Sequence, residues 1–209
     1  MRGPQQRSTG SLGQRLGEQF FGQDTLVVAE RLIGSHMRVT TQPGGTVEAI
    51  IVETEAYLGD DDPASHAHRG ATGRSEVMFR QGGVVYLYLV YGMYWCLNFV
   101  TGPKDVAGAV LIRAAELVSG EHVVRTRRKE LGLDRAGRHT SRLLSGPGTL
   151  CQSLGLDGTY NRSDACQASS VVQLFQGASL PVVATTRIGI RAGQELPFRF
   201  FCPQSPAVT

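Results

Sequence analysis

The sequence predicts an α+β fold built around a largely antiparallel sheet. Short apolar runs rich in Val, Ile, Leu and aromatic residues recur with turn residues between them. Helical patterns are few and scattered among hairpin signals. Glycine is frequent at 26 residues and charged residues make up only 19%, which suits strands and loops better than a helical bundle. With 209 residues, 41% of them hydrophobic, one domain with a sizeable core is expected.

The elements follow in order. Residues 1–16 read as a flexible, weakly basic arm, and 17–209 as the domain. The arm has no apolar stretch suited to a signal peptide, and no run approaches the length of a membrane span. Residues 24–34 read as a short helix, with Asp24 to cap its start and Gly34 its end. Strands are expected over 37–41 and 46–54, joined by Pro43-Gly44-Gly45. Residues 55–77 are polar and Gly-rich and read as an ordered loop over the sheet. Strands over 84–90 and 95–100 meet at a tight turn, Tyr91-Gly92-Met93-Tyr94. Another strand spans 109–114. Residues 121–131 read as a basic helix whose arginines are either a solvated face or a phosphate-facing one. Ser145-Gly146-Pro147-Gly148 opens a short helix carrying Leu150, Cys151 and Leu154 on one face. Late strands are expected over 181–190 and 197–201.

The charge is mildly basic, +3, which permits an anionic partner without demanding one. Lys104 and Lys129 are the only lysines among 21 basic residues, so few residues could act as a Schiff-base nucleophile. Cys96, Cys151, Cys166 and Cys202 form no close pair and read as reduced thiols. Four of the six tyrosines and the single tryptophan fall within residues 86–95. A buried strand has little use for phenols, each of which needs a hydrogen-bond partner. Flat rings at this density suit stacking on nucleobases.

Several residues could carry chemistry. Glu53, Glu55 and Tyr57 share one face if the strand I-I-V-E-T-E-A-Y continues, which is either a charged strand end or a site. His66 and His68 invite a zinc reading, but two further ligands are lacking nearby, so no metal is expected. They serve instead as hydrogen-bonding or stacking imidazoles, or as exposed loop residues. Arg113 ends an apolar strand and must meet a carboxylate or a phosphate. Asn98, in W-C-L-N-F, must be hydrogen-bonded or face a polar ligand.

Seven stretches, in order, resemble the alkyladenine (3-methyladenine) DNA glycosylase family. They are V-E-T-E-A-Y-L-G (52–59), H-A-H-R-G (66–70), M-F (78–79), Y-L-Y-L-V-Y-G-M-Y-W-C-L-N (86–98), V-L-I-R-A-A-E (110–116), S-G-P-G-T-L-C-Q-S-L-G (145–155) and R-I-G-I (187–190). The resemblance implies a compact α+β domain with a curved antiparallel sheet. It implies base flipping and excision of alkylated or deaminated purines from duplex DNA: 3-methyladenine, 7-methylguanine, hypoxanthine and ethenoadenine. Under it, Glu55 is the general base for the attacking water, and Arg113 and the Ile188 carbonyl help hold that water. Tyr57, His66 and Tyr88 wall the base pocket, with Leu111 beside them and Asn98 crowding the guanine 2-amino group. Tyr91 enters the duplex, with Met93 next to it. Arg69, Arg74 and Arg128 are candidates for phosphate contacts. The loop over 66–78 looks one residue shorter than in animal members. No cofactor is implied. The partner implied is damaged double-stranded DNA, met by a monomer in the cytoplasm if bacterial or the nucleus if eukaryotic.

Neither lysine falls in a matched site segment, so simple hydrolysis to an abasic site is expected, without strand cleavage. Two other readings stand beside it: a glycoside hydrolase using Glu53 and Glu55 as paired carboxylates, and a non-catalytic nucleic-acid-binding module built on the tyrosine platform.

Overall fold

The computed structural model describes residues 12–42, 44–133 and 139–209. Among these residues eight strands form one antiparallel sheet: β1 (His36–Thr41), β2 (Gly45–Tyr57), β3 (Val85–Val90), β4 (Tyr94–Val100), β5 (Ala109–Ser119), β6 (Val172–Phe175), β7 (Val183–Thr185) and β8 (Arg199–Phe201). The order is β3-β4-β5-β2-β1-β6. The far half of β2 also pairs with β8, which pairs with β7. Among the described residues four short α-helices pack around the sheet: α1 (Glu18–Phe21), α2 (Thr25–Arg31), α3 (Glu121–Glu130) and α4 (Pro147–Leu154). The α+β expectation therefore holds, and the sheet curls. The described part of the expected arm is tied down: Leu16 N donates to the Leu174 carbonyl and Gln176 N to that of Gln14. Residues 1–11 lie outside the described residues.

Local chemistry explains most elements. The Asp24 carboxylate accepts from the Leu26 and Val27 amides at 2.9 and 3.3 Å, which starts α2 as expected. Pro147 sits in the first turn of α4, and Gly155, in the left-handed region, ends it. β2 does not stop at Thr54 but runs through Glu55 to Tyr57. From Ala49 to Ala56 it is buried without interruption, so both its faces are covered. The segment expected as plain loop ends in a 3-10 helix, Gly73–Phe79. Of the expected late strands, only Val183–Thr185 and Arg199–Phe201 form.

Two apolar clusters flank the sheet. The larger packs α2 and α4 against β2, β4 and β5. The smaller joins Ala67, Val77 and Met78 to Tyr86, Val100 and Ala109. It fastens the 3-10 helix and the loop before it over β3, β4 and β5, and Tyr57 and Tyr88 pack against it. This second cluster fixes one wall of the site.

Candidate active site

One row of residues in register crosses five strands. Tyr86 pairs with Asn98, Asn98 with Leu111, Leu111 with Glu55, and Glu55 with Arg199. Residues directly opposite in an antiparallel sheet share a face, and so do residues two apart along a strand. Tyr88, Cys96, Arg113 and Tyr57 thus join the row on the same face. A cleft of about 550 Å³ opens over it, lined by Tyr57, His66, Tyr88, Asn98, Leu111 and Arg113 among others. That size lies in the range of roughly 300–1,000 Å³ usual for small-ligand pockets.

Glu55 lies just under the cleft floor and is fully buried. Its Oε1 accepts from the Ile188 amide at 2.7 Å and lies 3.3 Å from Arg113 Nη1. Its Oε2 accepts from the Tyr57 hydroxyl at 2.8 Å. Tyr57, Arg113 and Ile188 all line the cleft, so the carboxylate is bonded to the floor rather than turned from it. Two carboxylate oxygens offer about four acceptor positions. Hydrogen bonds from Ile188 N and the Tyr57 hydroxyl take two of them, and Arg113 stands beside the carboxylate as an ion pair.

Glu53 plays a different part. Its oxygens accept from Arg113 Nε at 3.1 Å, Arg199 Nε at 2.7 Å and the Thr209 backbone amide at 2.8 Å. Like Glu55 it is fully buried and outside the cleft lining, but two of its three partners, Arg199 and Thr209, lie outside that lining too. The two glutamates therefore do not form a free carboxylate pair. The register shifts around Glu53 mark a bulge in β2.

The aromatic wall is a corner rather than two parallel plates. His66 meets Tyr88 edge-on, centroids 4.6 Å apart at 81°. Tyr86 sits behind, 5.3 Å from Tyr88, with its hydroxyl 2.9 Å from His66 Nδ1. Burial, aided by the nearby Arg74 charge, lowers the His66 pKa to about 4, so the imidazole is neutral near pH 7. Burial raises the Tyr86 phenol to about 12 and the Cys96 thiol to about 11, and it holds the Tyr57 and Tyr88 phenols well above their ordinary values. All four stay protonated and neutral. Asn98 uses its amide nitrogen on the Tyr86 and Cys96 carbonyls, each at 3.1 Å. This fixes its rotation and leaves the side-chain oxygen as the free end.

At the mouth, Tyr91 is 86% exposed and Met93 61%. The hairpin closes through Met93 N to the Val90 carbonyl, with positive φ at both Tyr91 (53°) and Gly92 (70°). Positive φ is the left-handed region that glycine adopts freely and that strains a tyrosine.

Arg69 and Arg74 are exposed on the segment above the smaller cluster. Arg128 is not: it is 2% exposed and donates to Ser153 Oγ and the Leu133 carbonyl. The basic run of α3 turns this arginine inward to tie down the helix end, so Arg128 presents nothing to a phosphate.

Sequence reasoning missed two groups. Arg187 and Asp62 form a fully buried bidentate pair at 2.6 and 2.7 Å. Arg191, exposed at the cleft mouth, makes no hydrogen bond or ion pair among the described residues. The first lay inside R-I-G-I, a matched stretch, but no local spacing links it to residue 62. The described residues hold no group of three His, Cys, Asp or Glu suited to a metal. Among them, no helix is long and apolar enough to cross a membrane.

The fold is an α+β domain whose aromatic-walled cleft lies above one buried carboxylate. Comparison with known proteins gives the family. The model of the methylpurine-DNA glycosylase family matches residues 19–206. Relatives named 3-methyladenine DNA glycosylase include one from Carboxydothermus hydrogenoformans, 41% identical over 93% of this chain and 98% of its own. Another, from Methanocella arvoryzae, is 40% identical over 93% and 95%, and one from Rickettsia felis is 40% identical over 88% and 91%. The chain belongs to the methylpurine-DNA glycosylase family, DNA-repair hydrolases of N-glycosyl bonds.

Proposed function

We propose that this protein is a monofunctional, monomeric glycosylase that rotates damaged purines out of duplex DNA and hydrolyses their N-glycosidic bond. The substrates are 3-methyladenine, 7-methylguanine, hypoxanthine and ethenoadenine. The observation that carries this reading is the Glu55 carboxylate, bonded to Tyr57, Arg113 and Ile188 beneath the cleft.

A base within a duplex is out of reach, so extrusion comes first, at a cost of a few kcal/mol. Tyr91 at the hairpin tip fills the gap and stacks on the neighbouring bases, worth about 1–3 kcal/mol per base. Met93 packs beside it. The flipped purine rests between Tyr57 and the His66–Tyr88 corner, with Leu111 beneath and Asn98 set against a 2-amino group. A cationic alkylpurine gains about 0.5–2 kcal/mol from tyrosine faces. The Arg187 guanidinium lies 4.8 Å from the Tyr57 ring centroid, but its charge is balanced by Asp62. A cationic base is also the better leaving group.

As the bond breaks, positive charge grows on the sugar. Glu55 stabilises it and takes a proton from water. Arg113 and the Ile188 carbonyl complete the water's surroundings. Arg69, Arg74 and Arg191 contact phosphates around the mouth.

Incubation with a panel of single-lesion duplexes, followed by alkaline cleavage, tests the reading. Release of purine with alkali-dependent strand cleavage is expected. Strand cleavage without alkali, or intact DNA across the panel, would contradict it.

A further inference from the structure

Glu53 lies outside the cleft, yet donors converge on it from three places. Arg113 comes from β5, Arg199 from β8, and Thr209 from the segment after β8. Thr209 Oγ1 lies 2.8 Å from both Glu53 oxygens and accepts from Arg113 Nη2 at 3.2 Å. Arg199 Nη2 donates to the Thr209 carbonyl at 2.7 Å.

We propose that Glu53, Arg199 and Thr209 form a positioning set that aims Arg113 and keeps it from closing fully on Glu55. The inference rests on the glycosylase reading. It extends that reading to three residues with no contact to the cleft floor's water position.

A guanidinium is planar and rigid, so fixing two of its nitrogens fixes the third. Arg113 gives Nε to Glu53 and Nη2 to Thr209, which leaves Nη1 alone for Glu55 at 3.3 Å. Freed of those two partners, Arg113 would turn to the favoured two-bond pairing with the Glu55 carboxylate. That pairing takes up the acceptor position a water needs. Charge points the same way. Two carboxylates, both buried, meet two guanidiniums here, so Glu53 holds Arg113 without leaving an unpaired charge. Thr209 Oγ1 bridges Glu53 and Arg113, and its loss leaves every charge in place.

Thr209→Ala is therefore the sharpest variant, with Glu53→Gln as the second. Each is compared with wild type in single-turnover release of hypoxanthine from a duplex. Affinity for an abasic-site duplex is measured alongside. Thr209→Ala is then repeated in an Arg113→Met background. A misaimed group costs rate rather than binding, so release should slow about tenfold while affinity stays within about twofold. In the Arg113→Met background the Thr209 change should have no further effect, because it acts through Arg113. A Thr209→Ala rate equal to wild type would overturn the proposal. So would a parallel loss of affinity, or a loss that multiplies with Arg113→Met. If wild type itself releases no base from any lesion duplex, the glycosylase reading falls, and this inference with it.

Discussion

Arg187 and Asp62, 125 positions apart in sequence, grip each other through two hydrogen bonds of 2.6 and 2.7 Å with no solvent exposure. The pair joins the loop after Tyr57 to the loop that carries Ile188. Asp62 also accepts from the Leu58 and Ala64 amides, and Arg187 donates to the Ala56 carbonyl at 3.0 Å. Burial alone would raise the Asp62 carboxyl, but Arg187 and those amides outweigh it and hold it below its ordinary value. The result is a clamp that sets the Ile188 amide on Glu55.

Breaking this clamp from one side leaves a buried, uncompensated charge. Asp62→Ala should cost about 3–5 kcal/mol of stability, measured by urea unfolding. Base release should fall further than the folded fraction explains, since Ile188 loses its anchor. A loss under about 1 kcal/mol would contradict this account of the pair.

Tyr91 holds a backbone conformation that glycine adopts freely and tyrosine does not. Tyr91→Gly should therefore stabilise the fold by about 1 kcal/mol, seen as a raised Tm. The same change should weaken binding to a damaged or abasic duplex, because the stacking ring is gone. Equal affinity of variant and wild type for the abasic duplex would remove the wedge role.

His66 is neutral in the folded protein, with its pKa lowered from 6.5 to about 4. Its contribution is therefore present above pH 6.5 and is lost as pH falls from 6.5 through 4. Unfolding experiments across that window should show stability falling with acid, and His66→Phe should flatten the slope there. Above pH 7 the two proteins should share one slope.

Gly148 lies against the root of the hairpin. A Cβ there would come within 2.9 Å of the Tyr94 ring and 3.0 Å of its own Cβ. The Tyr94 side chain at the root of the hairpin must yield, so Gly148→Ala should weaken abasic-duplex binding several-fold with little change in far-UV circular dichroism. Binding equal to wild type would show that the tip moves freely.

Much of this arrangement is legible in the sequence, because much of it is local. Asp24 announces a helix start, and the hairpin at Tyr91 follows from strand signals on either side. Alternation along I-I-V-E-T-E-A-Y puts Glu53, Glu55 and Tyr57 on one face; Tyr57 bonds Glu55 there, while Glu53 bonds Arg113, Arg199 and Thr209 instead. What the sequence conceals is long-range. Nothing local ties Asp62 to Arg187, or Thr209 to Glu53. The inward turn of Arg128 is equally hidden, since a basic run on a short helix reads the same whether one arginine faces water or Ser153. The surroundings of the Glu55 carboxylate appear only once Tyr57, Arg113 and Ile188 are brought together from separate segments.

The Glu55 carboxylate is where the central claim can be tested. Glu55→Gln keeps the shape of the side chain and removes its charge. In single-turnover assays on a hypoxanthine-containing duplex, base release should become undetectable while affinity for the same duplex stays within about fivefold of wild type. Release at an undiminished rate would contradict the account, because the buried carboxylate would then have no part in activating water.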